Sequence, residues 1–219
     1  DRVLPKATAA IRQSSNKDDI LRQVEMATGI KIEIVTEQEE AEYGQYAVLH
    51  SSTIENAITI DIGGGSCEIT HYENKEMRHY HSFPFGAVSL RKDFFNGKAH
   101  NDSKAMEAVR KFVRKQFKEF SWIKKANLPI LAIGGSARNV ANVHQRLIHY
   151  PLAGLHGYGM VAEAIEETLT TFVTTDANRL DDIDGLSKDG HEIIIPASIV
   201  FQELYKIAKT PFLSISTHG

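Results

Sequence analysis

An apolar run ends in an acid, three glycines, a hydroxyl and a second acid at Asp61-Ile62-Gly63-Gly64-Gly65-Ser66-Cys67-Glu68. Glycine adopts backbone conformations closed to other residues, so a three-glycine turn can bring bare peptide N–H groups against an oxyanion. The Ser66 hydroxyl adds a donor. Asp61 and Glu68 are oxygen ligands of the kind that hold hydrated Mg2+, the ion that accompanies polyphosphates. The pattern therefore points to phosphate binding. A glycine-rich β-turn flanked by solvated acids has the same residues.

Three further groups bear on the same chemistry. Gly134-Gly135-Ser136 follows a second apolar strand and precedes a helix whose N-terminus offers unpaired N–H groups to an anion. Arg138 falls in that first turn, where its charge opposes the helix dipole unless an anion is held there. The acids Glu37, Glu39, Glu40 and Glu42 open another helix. One of them, turned into a cleft, would serve as the base that takes a proton from water, and spacing does not say which. Arg12, at the end of Ala7-Thr8-Ala9-Ala10-Ile11-Arg12, can grip phosphate with two parallel N–H donors or simply lie on the surface.

Other chemistries find less support. His79 and His81 are two apart, hence on one strand face, but no third ligand accompanies them and zinc is not expected. Neither a Gly-x-Ser-x-Gly elbow nor a Walker loop occurs. Cys67 has no basic neighbour in sequence and reads as a small buried filler rather than a nucleophile.

The elements that would position these residues follow from periodicity. Ile20, Leu21, Val24 and Ala27 form a helical stripe over 17–28, with Asn16 as N-cap and Gly29 as C-cap. Residues 31–35 alternate like a strand, and Thr36 with Glu39 reads as a capping box for a helix reaching about residue 50. Residues 57–85 alternate and turn, with a hairpin at Glu73-Asn74-Lys75-Glu76. Helices are expected at 86–95, 103–120, 137–148, 159–172, 177–181 and 193–208. Strands are expected at 129–133 and 212–216. This is an α/β chain with covered sheets. The basic residues crowding 104–118 read as a solvated face.

Composition narrows the class. The 219 residues are 42% hydrophobic, enough for a normal core, and the net charge of -3 gives no global field for nucleic acid. A single cysteine excludes an intrachain disulfide and fits a reducing compartment. No apolar run approaches the roughly 20 residues that span a bilayer, so neither a membrane nor nucleic acid is expected as a partner and the cytoplasm is the expected location. Both ends read as cut from a longer chain.

Taken together, these segments resemble the exopolyphosphatase / guanosine pentaphosphate phosphohydrolase (Ppx/GppA) family of the actin-like ATPase and sugar-kinase superfamily. The resemblance runs in order through Ala7–Arg12 with Asn16, Val35-Thr36-Glu37-Gln38-Glu39-Glu40-Ala41, Asp61–Glu68, Phe85-Gly86-Ala87-Val88-Ser89-Leu90, Gly134–Arg138 and Phe212–Gly219. It implies an actin-like ATPase (ribonuclease H-like) α/β fold with a truncated first lobe, 1–50, and a second lobe, 51–219. It implies Glu40 as the water-activating base and Asp61 and Glu68 at Mg2+. Gly63, Gly64, Gly65 and Ser66 would form the phosphate cradle, with Gly134, Gly135, Ser136 and Arg138 as a second phosphate turn and Arg12 facing the phosphate chain. The implied substrate is inorganic polyphosphate or guanosine pentaphosphate, with a homodimer among the expected partners. The rival expectation is a sensor of the same fold that binds (p)ppGpp or nucleotide without hydrolysis. Cys67 and Ser136 each stand where the family has Thr. Gly190-His191-Glu192 replaces an Arg-Ala-Asp, and Ala197 a Gly. The family's first phosphate loop has no counterpart in these residues, so this stretch alone is expected to bind phosphate weakly or not to hydrolyse at all.

Overall fold

In the computed structural model, which describes residues 3–218, the chain divides into two compact units, Asp1–Tyr46 and Ala47–Gly219. The first unit holds a two-stranded parallel sheet of β1 (Lys6–Ala7) and β2 (Glu33–Ile34), paired Lys6 to Glu33 and Ala7 to Ile34. A short helix α1 (Ala9–Arg12) leaves β1, and α2 (Lys17–Thr28) makes the crossover. Asp18 and Asp19 lie in the first turn of α2, and Gly29 closes it with φ 70°, the left-handed stop that glycine adopts without cost. Of the expected apolar stripe, Ile20, Leu21 and Val24 are half-buried and Ala27 is exposed. α3 (Glu37–Ser51) follows β2.

The second unit is built on a six-stranded sheet in the order β5-β4-β3-β6-β8-β7. β3 (Ala57–Ile62), β4 (Cys67–Glu73) and β5 (Glu76–Phe83) form an antiparallel meander. The hairpin between β4 and β5 turns at Asn74 and Lys75, both at positive φ. β6 (Ile130–Ile133) runs parallel to β3, and β8 (Leu213–Ile215) runs parallel to β6. β7 (Gly159–Met160) closes the edge antiparallel to β8.

Alternation gives the sheet two faces. Ile58, Ile60, Ile62, Cys67, Ile69 and Phe83 enter the main core with α4 (Ala87–Phe95), α5 (Ser103–Lys118) and α8 (Ile194–Ala208). Ala57, Tyr72, Leu131 and Ile133 form a smaller cluster with Val48 on the other face. α6 (Gly134–Leu147) and α7 (Ala162–Thr174) complete the unit, with a 3-10 turn at Ala177–Asp182. Among the described residues no helix is long and apolar enough to cross a membrane.

The parallel strands decide where a ligand can sit. Asp61 pairs with Ile133, and Ala132 with Ile215. The residues that leave the carboxyl ends of β3, β6 and β8 therefore emerge along one edge of the sheet. In open α/β sheets that edge is where ligands bind.

Candidate functional site

The first glycine turn, 63–66, joins β3 to β4. The Gly63 N–H donates to the Ser66 carbonyl at 3.0 Å and closes it. α4 starts directly against the turn. The Ala87 N–H donates to the Gly63 carbonyl at 2.9 Å, and the Val88 and Ser89 N–H groups donate to the Gly64 carbonyl at 3.0 and 3.1 Å. The first amides of a helix have no acceptor within the helix itself, and here the turn supplies it. In a planar trans peptide the C=O and the next N–H point opposite ways. Fixing the Gly63 and Gly64 carbonyls on α4 thus turns the Gly64 and Gly65 N–H groups outward. Both residues are exposed, and neither amide has a hydrogen-bond acceptor among the described residues.

The second turn lies one strand away. The spacing predicts its helix from residue 137, but α6 starts at Gly134, so both glycines belong to its first turn. No side chain caps that turn. Gly135 and Arg138 are exposed and Ser136 is buried. Asp61 links the two turns. A Cβ placed on Gly134, where φ is +87°, would lie 2.5 Å from the Asp61 Oδ1 atom. Only glycine fits between that carboxylate and the strand end.

Asp61 and Glu68 are direct partners across β3 and β4, so their side chains share one face. The Ser82 hydroxyl on β5 donates to Glu68 Oε1 at 2.8 Å. Among the described residues no group of three His, Cys, Asp or Glu converges to form a metal cage. A pair of acids beside a turn with outward amides fits the chemistry of Mg2+, an ion that keeps several waters and is bound through one or two carboxylates. Cys67, next to the turn, is fully buried, and burial followed by the charges of Glu68 and Asp61 pushes its thiol well above the usual range. Its burial in the core fits a small packing residue.

The first unit brings together two of the sequence-predicted residues. Arg12 Nη1 donates to Glu40 Oε2 at 3.0 Å and to the Val35 carbonyl at 2.9 Å. The capping box sorts the acids that spacing leaves equivalent. Glu39 Oε2 accepts from the Thr36 N–H at 2.8 Å and the Thr36 hydroxyl at 2.9 Å, and these bonds hold its carboxyl below the usual range. Glu39 is committed to the cap, and Glu40 to Arg12. The side chain of Glu37 lies outside the described residues, as does Gly219.

Two participants lie outside the sequence-predicted site residues. Gly86 is one: a Cβ there would lie 2.4 Å from the Gly63 carbonyl oxygen, so the seat of α4 requires glycine. The sequence marks it as a Gly opening an apolar helix after a strand and as part of the Phe85–Leu90 segment of the resemblance, but not as the seat of a helix. Ser82 is the other, and a lone serine in a strand carries no signal. The histidines that share a strand face serve packing. His79 stacks on His71 and on Trp122, with ring centroids 5.6 and 5.4 Å apart, and His81 lies against Phe120. A cavity of about 680 Å³ between α7 and α8, lined by Glu163, Glu166, Thr170 and Tyr205, includes neither glycine turn. The open edge with its outward amides is the better site, because anion capture by backbone needs no enclosed volume.

Comparisons with known proteins bear on family and fold. The model of the Ppx/GppA phosphatase family matches residues 1–219. The bifunctional 3-dehydroquinate synthase/phosphatase of Fusobacterium nucleatum is 27% identical over 215 residues, covering 96% of this chain and 32% of that protein. Exopolyphosphatase 1 of Mycobacterium leprae is 31% identical over 90 residues, covering 40% of this chain and 26% of that protein. The matches thus span a third or less of these curated relatives. Among solved structures, the Aquifex aeolicus Ppx/GppA family member superposes with TM-score 0.87 at 24% identity, over 100% of this chain and 71% of that one. An exopolyphosphatase from Cytophaga hutchinsonii gives 0.82 at 18% identity, over 99% and 71%. The fold is that of the actin-like ATPases.

Proposed function

Because the chain belongs to the Ppx/GppA phosphatase family, we propose that the whole protein hydrolyses the terminal phosphoanhydride bond of linear inorganic polyphosphate, or the 5′ γ-phosphate bond of guanosine pentaphosphate. The outward amides of Gly64 and Gly65 carry this reading, since they form a seat for phosphoryl oxygens. The Ser66 hydroxyl adds a donor. The first turn of α6, with Gly134, Gly135, Ser136 and the exposed Arg138, takes the oxygens of a neighbouring phosphate. Asp61 and Glu68 would hold Mg2+, which when bound neutralises charge on the phosphate oxygens. Glu40 accepts the proton of the attacking water. Donors already aimed at the phosphoryl group stabilise the charge that develops there.

The relatives support hydrolysis over a non-hydrolytic sensor, since one is called a phosphatase and another an exopolyphosphatase. The test is orthophosphate release from long-chain polyphosphate and from guanosine pentaphosphate, without ATP, with binding measured separately. Substituting Glu40→Gln should lower kcat by about 10²–10⁴, the usual scale for a lost general base, and leave binding intact. Tight binding by the wild type without any release would favour the sensor. Near-normal turnover in Glu40→Gln would remove that residue from the mechanism.

A further inference from the structure

Two adjacent glutamates in one helical turn have been given different tasks by their surroundings. Glu39 closes the cap on Thr36. Glu40 is gripped through Oε2 by Arg12, and Arg12 is itself anchored on the Val35 carbonyl through the same nitrogen. That carbonyl is a fixed point: Val35 is buried, and its N–H donates to the Ala7 carbonyl at 3.0 Å. The parallel pairing of β1 with β2 sets the ends of both strands side by side, so that α1 delivers Arg12 to the start of α3. The pair is partly exposed, with side-chain accessibilities of 19% and 32%, and pairs of that kind contribute little to stability. What it fixes is direction. A glutamate side chain has three rotatable torsions, and pinning one oxygen to a backbone-anchored guanidinium leaves the other presented in a single orientation. Glu40 Oε1 has no hydrogen-bond partner among the described residues.

We propose that Arg12 is a positioning residue for Glu40: it holds Oε2 so that Oε1 is offered to the attacking water, and it does not serve as a clamp on the phosphate chain. The inference rests on the reading of Glu40 as the base, and it departs from the phosphate-facing role that family resemblance implies for this arginine.

A double-mutant comparison on the whole protein separates the two roles. Orthophosphate release would be followed for wild type, Arg12→Met, Arg12→Lys, Glu40→Gln and Arg12→Met/Glu40→Gln, with thermal melts to confirm folding. The Kd for long-chain polyphosphate would be measured in the two Glu40→Gln proteins, where the chain is consumed slowly enough for binding to equilibrate. A positioning role predicts that Arg12→Met lowers kcat by up to about a hundredfold, the cost of an ångström-scale misplacement. It predicts that the double variant is no slower than Glu40→Gln alone, and that Kd in the two Glu40→Gln proteins agrees within about twofold, since residues acting as a unit are not additive. Arg12→Lys, which keeps a donor, should recover part of kcat and remains informative where Arg12→Met melts early. A Kd weakened about tenfold or more on adding Arg12→Met to Glu40→Gln, or a further multiplicative loss of kcat, would show that the arginine binds phosphate and overturn the inference. Normal turnover in Glu40→Gln alone would fail at the earlier step, removing the base and this inference together.

Discussion

Two glycines bear the tightest steric demands on the site. Gly86 seats α4 on the Gly63 carbonyl, and Gly134 admits the Asp61 carboxylate at a backbone conformation that other residues rarely adopt. Either Gly86→Ala or Gly134→Ala should weaken inorganic phosphate binding about tenfold or more, a loss of about 1.4 kcal/mol; calorimetric titration showing unchanged affinity would sever the turns from the site. Tyr72 offers a test unrelated to the ligand. Its hydroxyl is buried with no hydrogen-bond partner among the described residues, and burial pushes its ionisation upward. Tyr72→Phe removes an unsatisfied polar group and should stabilise the protein by about 1 kcal/mol, read from urea denaturation. Residue types named the candidates at this scale, since Asp-x-Gly-Gly-Gly-Ser and Thr-x-x-Glu carry their physics in the sequence. Pairings such as Asp61 with Gly134, or Arg12 with Glu40, join residues 73 and 28 positions apart in the chain and become visible only when strands align.

Between elements, the join of α5 to α8 depends on charge inside the fold. Arg114 donates through Nε and Nη2 to both oxygens of Glu203 at 2.8 and 3.0 Å, and Glu203 is 1% exposed. Arg110 bonds Gln202, which in turn bonds Glu166 on α7. Arg114→Ala would strand a carboxylate without its cation, at a cost of about 3 kcal/mol, and a denaturation midpoint equal to wild type would contradict that. The crowd of basic residues on α5 is thus not wholly the solvated face that its spacing predicts. In α3, Gly44 has open space around it, so Gly44→Ala should stabilise the helix by roughly 0.5–1 kcal/mol. Long periodic helices and the alternating meander were legible from the chain, because one buried face imposes its period. Short pieces were not. β7 occupies two residues that the helical pattern assigns to α7, and its pairing with β8 overrides local preference. α6 begins three residues early because Gly134, at φ +87°, makes the sharp exit from β6 that lets the helical turn start at once.

Across the whole molecule, two histidines tie stability to pH. Burial lowers the proton affinity of His71, opposed in part by Glu73, and burial likewise lowers that of His144, opposed by Glu167. Both are held neutral when folded, while the unfolded chain takes up protons near the ordinary value of about 6.5. Their contribution is therefore complete above that pH and is lost as pH falls below it toward the depressed folded values. The urea midpoint should drop between pH 7.5 and 5.5, and His71→Phe, which keeps the ring stack, should flatten part of that drop; a midpoint indifferent to pH in this window would refute the assignment. The lowered carboxyls of Glu33 and Glu39 act further down, below the ordinary glutamate value.

The seating of α4 on the glycine turn carries one more implication. Because a neighbouring helix keeps those dipoles facing out, the proposed seat needs no rearrangement of its turn to meet an anion. Selectivity among tetrahedral anions then falls on their charge and radius, so vanadate, arsenate and sulfate should compete with phosphate for the same place.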